Sequence, residues 1–153
     1  VSTPEERIRE LGLEVPEVVA PLASYVPAAR TGSLVYTAGQ LPMVKGELAV
    51  TGKVGAEVTP EQAFEQARIC ALNAIAALKA EVGELSRVVR IVKVVGFIAS
   101  APGFHGQPAV LNGASDLLGE VFGDAGRHAR SAVGVSVLPK DAAVEVELIA
   151  EVS

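Results

Sequence analysis

From His128 to Val152 the chain alternates between apolar and other residues along two stretches separated by Leu138-Pro139-Lys140-Asp141. Val133, Val135 and Val137 share one face of the first stretch, and Val144, Val146 and Leu148 share one face of the second. This period of two is that of half-buried strands joined through a turn. Two charges interrupt the pattern: Arg130 stands at the mouth of the first strand, and Glu145 lies inside the second between apolar neighbours. A charge is costlier to hold on a sheet than in a loop, so this pair is the first place to look for chemistry.

Upstream the period changes. Thr59-Pro60-Glu61-Gln62 is a capping box with proline in the first turn. Phe64, Ala67, Ala71, Ile75, Leu78 and Val82 then recur at helical spacing, and Gly83 is the expected stop. Val88 to Ser100 is rich in β-branched residues and predicts a long strand buried on both faces. Gln107 to Phe122 predicts a second long helix, with Val110, Leu117, Leu118 and Val121 inward. Tyr25–Ala29 and Leu34–Ala38 predict a hairpin around Arg30-Thr31-Gly32-Ser33. Gly39-Gln40-Leu41-Pro42 ends its second strand, where glycine permits a close backbone approach or a positive φ. Met43 to Val58 reads as a loop with room for one short strand. At the N-terminus, Ser2-Thr3-Pro4-Glu5-Glu6 starts a short helix that carries Ile8 and Leu11 and stops at Gly12. Leu13 to Ala23 is an extended connector.

The order β-β-α-β-α-β-β predicts an α+β fold, a mixed sheet with both long helices packed on one face. In the long strand, Val92 and Val94 alternate with Ile91, Val95 and Phe97, which leaves apolar positions on both sides of that strand and predicts burial of the second face against another copy and an obligate oligomer.

Composition narrows the function. At 153 residues, half of them apolar, the chain is expected to be one domain. With four Phe, two Tyr and no Trp, its core must be built from Val, Ala and Leu. A net charge of −5 without any basic run disfavours nucleic-acid binding. The single Cys70 excludes an internal disulfide and fits a reducing compartment. No apolar run reaches the roughly 18 residues of a membrane span, and the start of the chain lacks a signal-peptide core. The expectation is a soluble cytoplasmic protein with no membrane association.

The remaining candidates are open on spacing alone. Arg130 suits either a carboxylate clamp or an ordinary surface cation at a strand end. Glu145 and Glu147 are polar-out residues if their face meets water, and need a partner or a task if it meets a subunit. Tyr25 is either a ligand-facing hydroxyl or a half-buried edge tyrosine, and Asn112 either bonds something specific or is solvated. Cys70 reads as a small buried thiol. His105 and His128 lack metal-ligand spacing, and the common nucleotide and hydrolase motifs do not occur.

Taken together, Tyr25-Val26-Pro27-Ala28 leading to Thr37-Ala38-Gly39-Gln40-Leu41-Pro42, and Arg130-Ser131-Ala132-Val133 through Leu138-Pro139-Lys140-Asp141 to Val144-Glu145-Val146-Glu147, resemble the reactive intermediate deaminase superfamily, also called the YjgF family. The resemblance runs from roughly Pro16 to Val152, with the middle segment Ala67 to Val95 similar to the family's first helix and following strand. It implies one YjgF-like domain over residues 1–153, with residues 1–15 as an N-terminal helical extension. The implied fold is chorismate mutase-like, and the implied assembly is a homotrimeric barrel with clefts between neighbours. The implied activity is hydrolysis of small imino or enamino acids to 2-keto acids and ammonia, with no cofactor and no metal. By the same resemblance Arg130 grips the substrate carboxylate, Glu145 is associated with the hydrolytic water, and Gly39, Tyr25 and Asn112 line the cleft. Ala38 replaces the family's usual serine and Ala132 its usual cysteine, which leaves substrate identity open, and the Met43–Val58 loop and the N-terminal helix make the chain resemble a longer branch of the family. The alternatives are a trimer that binds or senses a small carboxylate metabolite without turnover and, third, a ribonuclease or translation inhibitor.

Overall fold

A computed structural model describes residues 2–153. The longest helix, α2 (Pro60–Val82), begins where its cap demands. Thr59 Oγ1 accepts from Gln62 N at 3.1 Å, and Gln62 Oε1 accepts from Thr59 N at 2.9 Å. Gly83, at φ 89°, ends it. α3 (Gln107–Phe122) matches the predicted bounds. The two helices approach closely at Gly113, where an added Cβ would strike the Phe64 carbonyl oxygen. Phe64 itself is only half-buried, so the inward stripe of α2 starts at Ala63 and Ala67.

The helices cover one face of a five-stranded sheet made of β1 (Ala28–Thr31), β2 (Leu34–Thr37), β3 (Val88–Ala99), β4 (Ala129–Val135) and β5 (Val144–Val152). Its order is β1-β2-β5-β3-β4, with β3 and β4 parallel and the other pairs antiparallel. The core lies between sheet and helices. Ile75, Leu78, Leu111 and Leu118 meet Ile91, Val94, Ile98, Val144, Val146 and Leu148, all buried. The short helix α1 (Pro4–Glu10) is tied to this body. Ile8 enters the core, and Glu5 accepts from Lys79 Nζ at 2.7 Å and Leu85 N at 3.0 Å.

Two expectations need correction, and two are made more definite. β1 starts at Ala28, so Tyr25 precedes the strand, and Arg30 and Thr31 belong to it; only Gly32-Ser33 form the turn. Val137 lies beyond β4 and is exposed, because the chain there has left the sheet. Residues 43–58 carry isolated bridges, such as Val54 with Ser100, and no strand. Within one chain β3 is buried on one face only: Val89 is 49% and Val92 37% exposed, as is Val133 (43%) beside them on β4.

Candidate functional site

Along β5 the side chains alternate cleanly. Val144, Val146, Leu148 and Ala150 face the helices, so Glu145, Glu147 and Ile149 face the open side of the sheet. Glu145 lies opposite Phe97 of β3. On its other flank runs the segment after β2, held by Gln40 N to Val146 O (2.7 Å) and Val146 N to Gln40 O (3.0 Å). This pairing puts Gly39 against Glu145, and an added Cβ would strike the carboxylate oxygen Oε2. Gly39 is outside the positive-φ region, so glycine is needed here for space and not for backbone conformation. Asn73 of α2 pins the same segment from below: its amide donates to Leu41 O and Met43 O, both at 3.0 Å.

Glu145 is half-buried, and among the described residues no donor reaches its carboxylate. Burial, and then the charge of Glu147 on the same face, pushes its pKa above the ordinary carboxylate value. Cys70 lies on the helix side of the sheet and is fully buried, with its thiol donating to Val144 O at 3.5 Å. Burial raises that thiol's pKa well above normal, and the charge of Glu145 adds to the effect. Tyr25 and Gly39 line one shallow pocket with Leu22, Pro27, Leu41 and Met43. The Tyr25 hydroxyl accepts from Leu22 N at 3.1 Å, and the ring is 46% exposed.

Arg130 lies elsewhere. Its strand partner is Val94, which is buried on the helix side, so Arg130 points to that side of the sheet edge. Its guanidinium donates to Ser115 Oγ at 3.1 Å and to Pro108 O at 2.9 Å, both on α3. No carboxylate pairs with it among the described residues. Asn112 is exposed on α3, four residues after Pro108 and three before Ser115, and so on the helix face along which the guanidinium lies.

Within one chain the candidate residues therefore fall into two separate groups. Gly39 and Glu145 meet on the open side, and Tyr25 shares a pocket with Gly39; Arg130 and Asn112 sit on the helix side, with β3 between the strands of Arg130 and Glu145. Sequence reasoning did not single out Asn73 or Ser115, and weighed His128 only as a metal ligand. For Asn73 the signal was an amide in an alanine-rich inward run. Ser115 and His128 leave no local signal, since their contact depends on how α3 meets β4. Among the described residues no three His, Cys, Asp or Glu side chains converge to hold a metal.

The sequence matches the family described as "YjgF/chorismate mutase-like, putative endoribonuclease" over residues 5–152. This chain belongs to the YjgF family. The YjgF match begins at Glu5, inside α1. A relative, Protein TCP17 of Trypanosoma cruzi, is 42% identical over 147 residues, 95% of this chain and 92% of that protein. The crystal structure of Atu1372 from Agrobacterium tumefaciens is 46% identical, with TM-score 0.92 over 98% of this chain and 92% of that one. The structure of E. coli TdcF with bound serine is 28% identical, with TM-score 0.59 over 90% of this chain and 93% of that one. The chorismate mutase-like fold expected from the YjgF resemblance is thus the fold of this chain.

Proposed function

We propose that this YjgF-family chain hydrolyses small 2-imino and enamino acids to 2-keto acids and ammonia, in clefts between copies of itself. The observation that carries the reading is Glu145, a half-buried carboxylate without a hydrogen-bond donor and with a raised pKa, seated against the bare Cα of Gly39. A carboxylate so placed suits a general base for water. 2-Aminoacrylate takes a proton from solvent at C3 to become the iminium ion, whose C2 is electrophilic. Water adds at C2 and its proton passes to Glu145. Glu145 returns that proton to the nitrogen of the carbinolamine, ammonia leaves, and the hydroxyl gives its proton to solvent, which leaves pyruvate. The chemistry asks for orientation and a placed water, and no metal or cofactor is part of it.

Substrate orientation falls to Arg130. A guanidinium has five N–H groups. Ser115 and Pro108 take two, which leaves three for a bidentate carboxylate clamp. Because Arg130 and Glu145 face opposite sides of the sheet, a second copy would have to join the two groups. The exposed Val89, Val92 and Val133 on the uncovered side support such contact, and the family resemblance makes the assembly a homotrimer. The reading takes residues 1–153 as one YjgF-like domain and places the protein in the cytoplasm. No described helix is long and apolar enough to cross a membrane.

Serine bound to TdcF favours a second reading, a site that binds a small carboxylate metabolite without turnover. The endoribonuclease wording of the family description ranks third, since the net charge is −5 and no basic stripe with aromatic residues occurs. Ammonia release from 2-aminoacrylate generated in situ is the test. Turnover by the wild type that is lost in Arg130→Ala supports the deaminase. No turnover, with carboxylate binding retained, moves the assignment to the binding reading.

A further inference from the structure

Arg130 is not held by an acid but by a chain of hydrogen bonds that runs on past Ser115. Ser115 Oγ lies 2.9 Å from His128 Nε2, and His128 Nδ1 lies 2.6 Å from Gly126 O. A carbonyl only accepts, so Nδ1 carries a proton, and in the neutral ring Nε2 is a bare acceptor. The Ser115 hydroxyl therefore donates to Nε2 and turns its lone pairs toward Arg130 NH1, 3.1 Å away. Every donor points the same way, from Arg130 through Ser115 and His128 to Gly126 O, and bonds so aligned polarise one another.

The fold makes this chain rigid. Ser115 stands on α3, His128 directly precedes β4 and Arg130 is its second residue. Gly126 packs so closely under α3 that an added Cβ would strike Leu118 O, which fixes the carbonyl that orients the imidazole. Asn112 belongs to the candidate cleft, whereas Ser115 and His128 are occupied with one another and with Arg130.

We infer that Ser115 and His128 are positioning residues that hold the Arg130 guanidinium ready for a substrate carboxylate. The inference rests on Arg130 as the carboxylate anchor proposed above. A free arginine side chain must be ordered when it binds, whereas this one is ordered beforehand by neutral partners that leave its charge uncompensated.

The experiment is calorimetric titration with pyruvate and with its neutral amide, pyruvamide, on wild type, Ser115→Ala, Ser115→Thr, His128→Phe and Arg130→Ala. Ser115→Ala and His128→Phe are each expected to weaken pyruvate roughly tenfold, the cost of ordering one long side chain. Pyruvamide binding should not change, and Ser115→Thr, which keeps the hydroxyl, should restore pyruvate. Equal losses for pyruvate and pyruvamide would overturn the inference in favour of a merely structural role. Pyruvate binding that is lost in Arg130→Ala but intact in Ser115→Ala would overturn the relay and leave the anchor standing. Binding that survives Arg130→Ala would remove the anchor and the relay together. Nitrogen-15 spectra of the wild-type imidazole, which do not depend on any variant folding, should show the Nδ1–H tautomer for His128. The Nε2–H tautomer would overturn the chain's direction.

Discussion

The carboxylate of Glu145 occupies the space that a side chain on residue 39 would need. Two segments distant in sequence, the turn after β2 and the middle of β5, are therefore fitted to each other at one methyl group's resolution. Gly39→Ala should displace the carboxylate with little effect on the backbone, because Gly39 does not use a left-handed conformation. Ammonia release should fall at least tenfold, while the melting temperature drops by only a few degrees, as for about 1 kcal/mol of overpacking in a small domain. Unchanged turnover in Gly39→Ala would remove the seat from the mechanism.

The raised pKa of Glu145 makes a prediction about pH. A carboxyl group with a folded-state pKa above its unfolded value binds its proton more tightly in the native state. Stability then falls as pH rises from the unfolded pKa through the folded one, and the loss is complete above the latter. Glu145→Gln should accordingly be more stable than wild type at neutral pH, and the two should converge when the pH falls below the ordinary carboxylate range. Urea titrations at several pH values check this. Glu147→Gln removes the second cause of the shift, so the acidic limb of the pH–rate profile should move to lower pH.

Asn73 donates its side-chain amide to two carbonyls, Leu41 O and Met43 O. Asn73→Leu leaves Leu41 O and Met43 O without that amide, which should cost about 2 kcal/mol. Asn73→Asp should be worse at neutral pH, since an ionised carboxylate brings acceptors to acceptors. Denaturant midpoints of the two variants test the order, and an Asp variant as stable as wild type would contradict the geometry.

The uncovered face of β3 and β4 predicts self-association. Wild type should sediment as a trimer, and Val133→Asp should shift it toward the monomer by putting a charge in an apolar contact. Loss of ammonia release should accompany dissociation, because the proposed cleft draws Arg130 and Glu145 from different copies. A monomeric variant with full turnover would refute the shared cleft.

Much of the architecture was legible because its causes are local. The Thr59–Gln62 box and Gly83 delimit α2 from within a few residues, and the alternation of β5 sets Glu145 opposite Val144 and Val146. Where local reasoning failed, a neighbour in space decided. Residues 43–58 contain strand-like valines, but only Val54 finds a ladder partner outside the loop, in Ser100. Val137 continues the alternation of β4 in sequence, yet β3 ends at Ala99, opposite Val135.

The amino-acid sequence by itself determined the bounds of α2 and α3, the alternation of β5, the family resemblance, and the candidates Arg130, Glu145, Gly39, Tyr25 and Asn112. Periodicity, caps and glycine stops act over a few residues and need no partner. The tertiary structure alone decided that β3 separates β4 from β5, and that Glu145 rests on Gly39 while Arg130 turns to α3. It also decided that Ser115 and His128 support the guanidinium. Strand order and the side toward which an edge residue points follow from which faces exclude water together. That is a property of contacts between segments, and no single segment carries it.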